Sequence, residues 1–359
     1  NPEVREELKE VIRFWKAKGV KGFRFDVVNL ISKPEIWEDD FEGDGRKFYT
    51  DGPYVHEYLK ELVRDTGIED YVTVGEMSST TLEHCIRYSG AEEKELSMCF
   101  NFHHLKVDYK DGNKWELMEP DYMELKVIFE KWQMGMQRGN AWNALFWCNH
   151  DQPRIVSRFG NEGEYWKESA KMLAGMIHLM RGTPYIYQGE ELGMTNVRYD
   201  IEDYRDVEIH NMYKARIEAG YDKEDVMNSI YAKGRDNART PMQWDDSENA
   251  GFTDGTPWIK VNDNYKEINA KSQVDDENSI FNCYRQLIKF RKEYPVFVDG
   301  DFTLLLADDE NIFAYKREYA GKSMVVVCNF YGRTIDMPLT EECKDMELLI
   351  SNYAKGDEA

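Results

Sequence analysis

Over its first 195 residues the chain alternates between short unbroken apolar runs and longer stretches with helical spacing. The runs are GVKGFRFDVVN from Gly19, DYVTVGEMSS from Asp70, ELSMCFNFHH from Glu95, WNALFWCNHDQPR from Trp142 and GTPYIYQGEELG from Gly182. A strand buried on both faces, as in a parallel sheet, reads as a continuous apolar run rather than an alternation, so each run predicts one such strand. Helices are predicted between them. VREELKEVIRFWKAKG repeats apolar residues at Val4, Leu8, Val11, Ile12 and Trp15, and Gly19 stops it. VHEYLKELVRDTG from Val55, ELKVIFEKWQMG from Glu124 and YWKESAKMLAGMIHLMRG from Tyr165 fill the later gaps.

Repeated strand and helix units predict an α/β fold, a (β/α)8 TIM barrel, and the acidic clusters that end the runs lie where such a barrel places its chemistry. A doubly wound open sheet would want a glycine-rich phosphate turn after its first strand, and none is present. Five strands do not close an eight-stranded barrel, so the runs are read as strands 4 to 8 with the N-terminal part missing. Residues 195–275 are polar and rich in Asp, Asn and Gly around ARTPMQWDDSENAGFTDGTPW, which predicts a long functional loop. One more amphipathic helix, NSIFNCYRQLIKFRKEYP, ends at Pro295. Beyond it, short β-type runs separated by Asp-Gly, Asp-Asp and Ala-Gly turns predict an all-β C-terminal domain. The expected organisation is therefore the C-terminal portion of the barrel over 1–295 and a β-sandwich over 296–359, unfinished at its tail LLISNYAKGDEA.

Composition narrows the partners. With 42% hydrophobic and 13% aromatic residues, 359 residues bury one large core and leave room for a small second domain. A net charge of −22 argues against nucleic acid, because phosphate backbones need clustered Lys and Arg. No apolar run approaches the ~20 residues of a membrane span, so no membrane partner is expected. Cys85, Cys99, Cys148, Cys283, Cys328 and Cys343 are scattered, without a CxxC pair or metal-ligand spacing, and read as buried thiols of a cytoplasmic protein. The first residue is Asn1 rather than Met, which leaves an upstream segment open.

The candidate chemistry sits at the run ends. Hydrolysis of a glycosidic bond needs two carboxyl groups flanking the anomeric carbon, and neighbouring strand ends in a barrel hold two such groups about 5 Å apart. Asp26 and Glu76 fit that description. Arg24 precedes Asp26 by two residues, so it shares its strand face and is suited to keep it ionised. A lone histidine is more often a core residue than a ligand, but His150 stands between Asn149 and Asp151 at a run end.

The segments GFRFDVVN, TVGEM and FWCNHDQ, with QGEELGMTN after them, resemble the conserved motifs of glycoside hydrolase family 13, the α-amylase superfamily. That resemblance implies a retaining α-glucosidase acting on a small-molecule sugar without a cofactor. It makes Asp26 the nucleophile that forms a covalent glycosyl-enzyme, Glu76 the acid/base, and Asp151 a binder of sugar hydroxyls with His150 beside it. His103 and His104 are left open between substrate contact and structural hydrogen bonding. Arg154 is expected either at the mouth of the site or in an ion pair on the barrel rim. Val27, directly after the nucleophile, is similar to members that cleave α-1,6 and related short linkages. The strings VGEMSSTTLEHCIRYSG and ELSMCFNFHHLKVDYKDGNKW look like the branch that hydrolyses trehalose 6-phosphate. A phosphomonoester needs cationic donors, for which Lys106 and Lys114 are the candidates. Cleavage of isomaltose-type ends is the neighbouring reading, and a noncatalytic interaction domain is the reading from another class.

Overall fold

The computed structural model describes residues 1–336, 338–339 and 341–353, so the last six residues of the predicted tail lie outside the described residues. By contact density it divides into two units, the first formed by residues 1–105, 125–145 and 181–183 and the second by the rest.

The first unit is built on parallel strands. Strand β1 (Gly22–Phe25) pairs with β2 (Val72–Glu76), and β2 pairs with β3 (Met98–Phe100), all parallel and in sequence order. A parallel bridge joins Cys99 to Asn143, and β4 (Ala144–Leu145) pairs with β5 (Thr183–Pro184). The regular strands are shorter than the apolar runs that predict them. The third run, for example, leaves the sheet at Phe100 and turns into one short helix at His103–Leu105, so His103 and His104 do not end a strand. The core between strands and helices contains Val28, Val55, Leu59, Met77, Tyr88, Leu96, Cys99, Trp132 and Met136.

Helix Pro2–Ala17 starts on an Asn1 side chain that accepts from Glu3 N at 2.8 Å, with a proline in its first turn. Of the apolar positions that predict it, Ile12 is buried, whereas Val4, Leu8, Val11 and Trp15 are all at least half exposed. The helix meets helix Val55–Thr66 through buried Ile12, next to Val63 and Ile68. Buried Lys9 adds ion pairs to Glu61 at 2.7 Å and Asp65 at 2.8 Å. Lys16 donates to the carbonyls of Thr66 and Gly67 at 2.8 and 2.7 Å, satisfying the C-terminal end of the second helix. The contact is made by Ile12 of the predicted stripe and by long charged side chains.

The second unit shows where periodicity misleads. The predicted loop 195–275 contains helices Val207–Glu218 and Lys223–Lys233. The first buries only Ile209, and the second buries polar Ser229 and Lys233 along with Val226, Met227 and Ile230, so no clean apolar stripe of 3.6-residue period announces them. Their N-caps do: Asp206 accepts from Glu208 N at 3.1 Å, and Asp222 from Glu224 N at 2.8 Å. Tyr199, Tyr204, Ile209, Val226, Ile230 and Ile259 form the small core around them.

Past helix Ile280–Glu293 an antiparallel meander follows, β6 (Asp301–Leu305), β7 (Ile312–Tyr319) and β8 (Lys322–Asn329). The Ala320-Gly321 turn between β7 and β8 has positive φ at both residues, 50° and 77°, the twist that a two-residue hairpin prefers. Arg317 on β7 is buried and donates to the carbonyls of Leu179, Phe297 and Gly300 at 2.6, 3.0 and 2.6 Å. Among the described residues no helix is long and apolar enough to cross a membrane.

Candidate active site

The register of β1 and β2 sets Phe25 beside Gly75, so the next residues, Asp26 and Glu76, leave adjacent strand ends together. Gly75 leaves its neighbours little room for a side chain. A Cβ there would meet Met77 Cε at 2.5 Å and Leu96 Cδ1 at 2.6 Å. Arg24, on β1, donates one guanidinium nitrogen to Asp26 Oδ1 and the other to Glu76 Oε2. One cation thus grips both carboxylates.

Their surroundings differ. The Asp26 side chain is 73% exposed and that of Glu76 only 14%. Burial raises the Glu76 carboxyl above its usual range, helped by the hydrogen bond and charge of Asp26, against the opposing pull of Arg24 and the Val27 N–H. A buried carboxyl with a raised pKa beside one open to solvent is the pattern of an acid and a nucleophile.

Two features of this corner escape sequence reasoning. Val27 adopts a left-handed backbone, φ 41° and ψ 40°, which a β-branched residue rarely takes and which costs on the order of 1–3 kcal/mol. This conformation accompanies the Val27 N–H reaching back to Glu76. Asn29 is fully buried and ties the segments after β1 and β2 together. It donates to the Ser78 carbonyl at 2.8 Å and to Asp51 Oδ1 at 3.1 Å, and accepts from Ser78 N at 2.9 Å. It closes the quoted string GFRFDVVN, and only its burial shows what it does. His103 is half-buried with its ring 5.0 Å from that of Trp132, and His104 is buried against Phe129.

In the second unit, Asp151 follows β4 in an Asx turn in which its N–H donates to Asn149 Oδ1 at 2.8 Å. His150 Nε2 lies 3.3 Å from Asp151 Oδ2. The other carboxylate oxygen is taken by arginines that the sequence reading did not single out. Arg239 Nη2 donates to Asp151 Oδ1 at 2.7 Å and Arg235 Nη1 does so at 3.4 Å. Arg235 also forks onto Asp206 with two 2.7 Å hydrogen bonds, which push its guanidinium further above its ordinary range. The signal available in sequence was their place in GRDNART, basic residues inside an Asp- and Asn-rich stretch.

Arg154 departs from expectation. It is 1% exposed and neither lines a mouth nor sits on a rim, since its guanidinium donates to the carbonyls of Gln188, Asn237 and Ala238 at 2.5, 3.2 and 3.4 Å. Lys106 is exposed, its carbonyl accepting from Tyr109 N in a turn. The Lys114 ammonium is already paired with Glu208 at 2.7 Å and lies over the Trp115 ring at 4.5 Å. A phosphate would compete with that carboxylate.

A comparison with known families matches residues 1–300 to the alpha amylase catalytic domain. The chain belongs to the alpha-amylase family. Among curated relatives it is 52% identical over its whole length to a trehalose-6-phosphate hydrolase of Bacillus subtilis, and 50% identical over 98% of its length to an oligo-1,6-glucosidase of Halalkalibacterium halodurans. It spans 64% of the length of each. Among solved structures, Bacillus licheniformis trehalose-6-phosphate hydrolase superposes with a TM-score of 0.93 at 52% identity, covering 100% of this chain and 66% of that one. Isomaltulose synthase from Erwinia rhapontici does so at 0.86 and 38%, covering 92% and 60%. Alpha-amylase membership makes the TIM barrel with a C-terminal β domain the family architecture to which the parallel strands and the β6–β8 meander belong.

Proposed function

We propose that the chain carries the catalytic groups of a retaining α-glucoside hydrolase. Asp26 attacks the anomeric carbon and forms a glycosyl ester while Glu76 gives its proton to the departing oxygen. Glu76, now a carboxylate, takes a proton from water, whose oxygen attacks the same carbon and releases Asp26. One water is consumed and the anomeric configuration is retained. Asp151 holds sugar hydroxyls as the ring flattens, with His150 beside it, and Arg24 orients Asp26. The observation that carries the reading is the paired strand-end carboxyls on one guanidinium, the solvent-shielded member held above its usual pKa.

The substrate we propose is trehalose 6-phosphate, cleaved to glucose and glucose 6-phosphate. The support is the 52% identity to a trehalose-6-phosphate hydrolase, and solvent-exposed Lys106 is the cation we assign to the phosphate. Cleavage of isomaltose-type ends is the second reading, favoured by Val27 and by the 50% identity to an oligo-1,6-glucosidase. We also read strands β1 to β5 as strands 4 to 8 of the barrel, 1–295 as barrel and 296–359 as the C-terminal β-sandwich domain. The cytoplasm is the proposed location, supported by six free thiols.

Hydrolysis of trehalose 6-phosphate, trehalose and isomaltose by the full-length protein containing this chain decides between the substrates. Trehalose 6-phosphate is expected to be turned over best, and a preference for isomaltose would reverse the choice. Replacing Lys106 by Ala should raise KM for trehalose 6-phosphate roughly 10-fold, the loss of about one charge-assisted hydrogen bond, and leave KM for an aryl α-glucoside unchanged. Equal effects on both would count against phosphate contact. No turnover of any α-glucoside by the full-length protein would favour the noncatalytic reading.

A further inference from the structure

A fully buried guanidinium is costly to desolvate, and an apolar side chain of similar volume would fill its place without that cost. Arg154 is nevertheless buried, with its donors spent on backbone carbonyls of two distant segments, Gln188 on one side and Asn237 and Ala238 on the other. The second segment is held from every direction. Tyr187 Oη donates to the Ala238 carbonyl at 2.9 Å. Asn237 accepts from Val197 N at 2.9 Å and donates to the carbonyls of Tyr231 and Gly234 at 3.0 Å each.

The next residue along is Arg239. Its Nε donates to the His150 carbonyl at 2.8 Å and its Nη2 to Asp151 Oδ1 at 2.7 Å. The connections close a ring. The backbone runs from Asp151 to Arg154, the Arg154 side chain crosses to 237–238, and the Arg239 side chain crosses back to Asp151. Gly189 leaves room for it: its φ is +86°, and a Cβ there would lie 3.0 Å from Arg154 Nη1.

We propose that Arg154 is a positioning residue, which fixes the 237–239 turn so that Arg239 meets Asp151 and holds that carboxylate oriented toward substrate. The inference rests on the reading of Asp151 as a sugar-binding group. Arg154 touches no sugar in this account and acts through Arg239. Lysine at 154 keeps the charge but reaches fewer of the carbonyls, because it lacks the planar fork.

A double-mutant cycle tests this in the full-length protein with an aryl α-glucoside. Arg154→Lys and Arg239→Lys should each lower kcat by about 10- to 100-fold, with KM moving less, as small displacements of a positioned group do. Together they should be no worse than the poorer single variant by more than about 3-fold, because removing Arg239 removes the route by which Arg154 acts. Penalties that multiply would overturn the positioning role, since a purely structural arginine acts independently of Arg239. Should Arg154→Lys fail to fold, Tyr187→Phe deletes the second donor to the Ala238 carbonyl. It should couple to Arg239→Lys in the same sense, and independence there would overturn the proposal equally. Asp151→Asn is the control that separates the two levels. Full activity in that variant refutes the underlying site reading. Lost activity there combined with independent Arg154 and Arg239 effects refutes only the positioning role.

Discussion

Asp26 directly follows strand β1 and Asp151 lies in a turn six residues past β4, and the two aspartates are held in opposite ways. The cation of Asp26 comes from its own strand, two residues away, and is shared with one neighbouring carboxyl. The cations of Asp151 come from 84 and 88 residues downstream, on a segment fixed by a buried arginine and packed backbone hydrogen bonds. Short-range spacing is enough to build the first environment, whereas the second depends on the folding of a long helix-containing segment far along the chain. Under the proposed roles, a carboxylate that must change bonding partner suits the first arrangement, being open to solvent and beside a carboxyl with a raised pKa. One that only has to stay in place suits the second.

The sharpest way to break this contrast is to remove each carboxylate. Asp26→Asn and Glu76→Gln should each lower kcat by about four orders of magnitude or more, as loss of a covalent or proton-transferring group does, with normal folding by circular dichroism. Natural-substrate turnover within ~10-fold of the parent in either variant would remove the distinction between the two sites.

Next in size is the effect of the shared cation. Arg24 works against the rise of Glu76, so Arg24→Met should let Glu76 hold its proton to still higher pH. The basic limb of the kcat/KM profile should then move upward while kcat itself falls roughly 100-fold. A limb that stays in place, or moves down, would mean that Glu76 is not the group titrating there.

The smallest effect concerns stability in the region of Arg154. Glu190 is buried, accepts from Tyr284 Oη at 2.9 Å, and is pushed up by burial from 4.5 to about 7. Because its folded value is raised, the native state binds the extra proton. Its stabilising contribution is therefore complete below about pH 4.5 and lost as pH rises through about 7. Glu190→Gln cannot titrate, so its unfolding free energy should fall less across that window, by on the order of 3 kcal/mol. Parallel stability curves for parent and variant in denaturant titrations at pH 4.5, 6 and 7.5 would show that Glu190 does not titrate there.

The same contrast explains what was legible beforehand. GFRFDVVN and TVGEM announce their strands, their carboxylates and the Arg24 partnership, because strand alternation and neighbouring register are local rules. Asn29 and the left-handed Val27 lie within or beside those motifs but act through burial and backbone angle, which residue type alone does not reveal. Helices Val207–Glu218 and Lys223–Lys233 were hidden because neither separates apolar from polar residues onto opposite faces; Asp206 and Asp222 were the usable clues. Arg154 was misjudged because an arginine near a polar run end is ordinarily at the surface, and only three-dimensional packing shows its donors spent on carbonyls. The exposed stripe of helix Pro2–Ala17 shows the reverse error, since apolar periodicity marks a face without saying what lies against it.

The most direct test of the account is to trap the intermediate. The full-length protein is incubated with a fluorinated α-glucosyl fluoride that forms the ester quickly and hydrolyses it slowly, then digested and read by mass spectrometry. The account predicts a single fluoroglucosyl adduct on the peptide that contains Asp26, absent from Asp26→Asn and abolished by prior removal of the glucosyl fluoride. An adduct on another carboxylate, or none from a protein that turns over α-glucosides with retention, would contradict it.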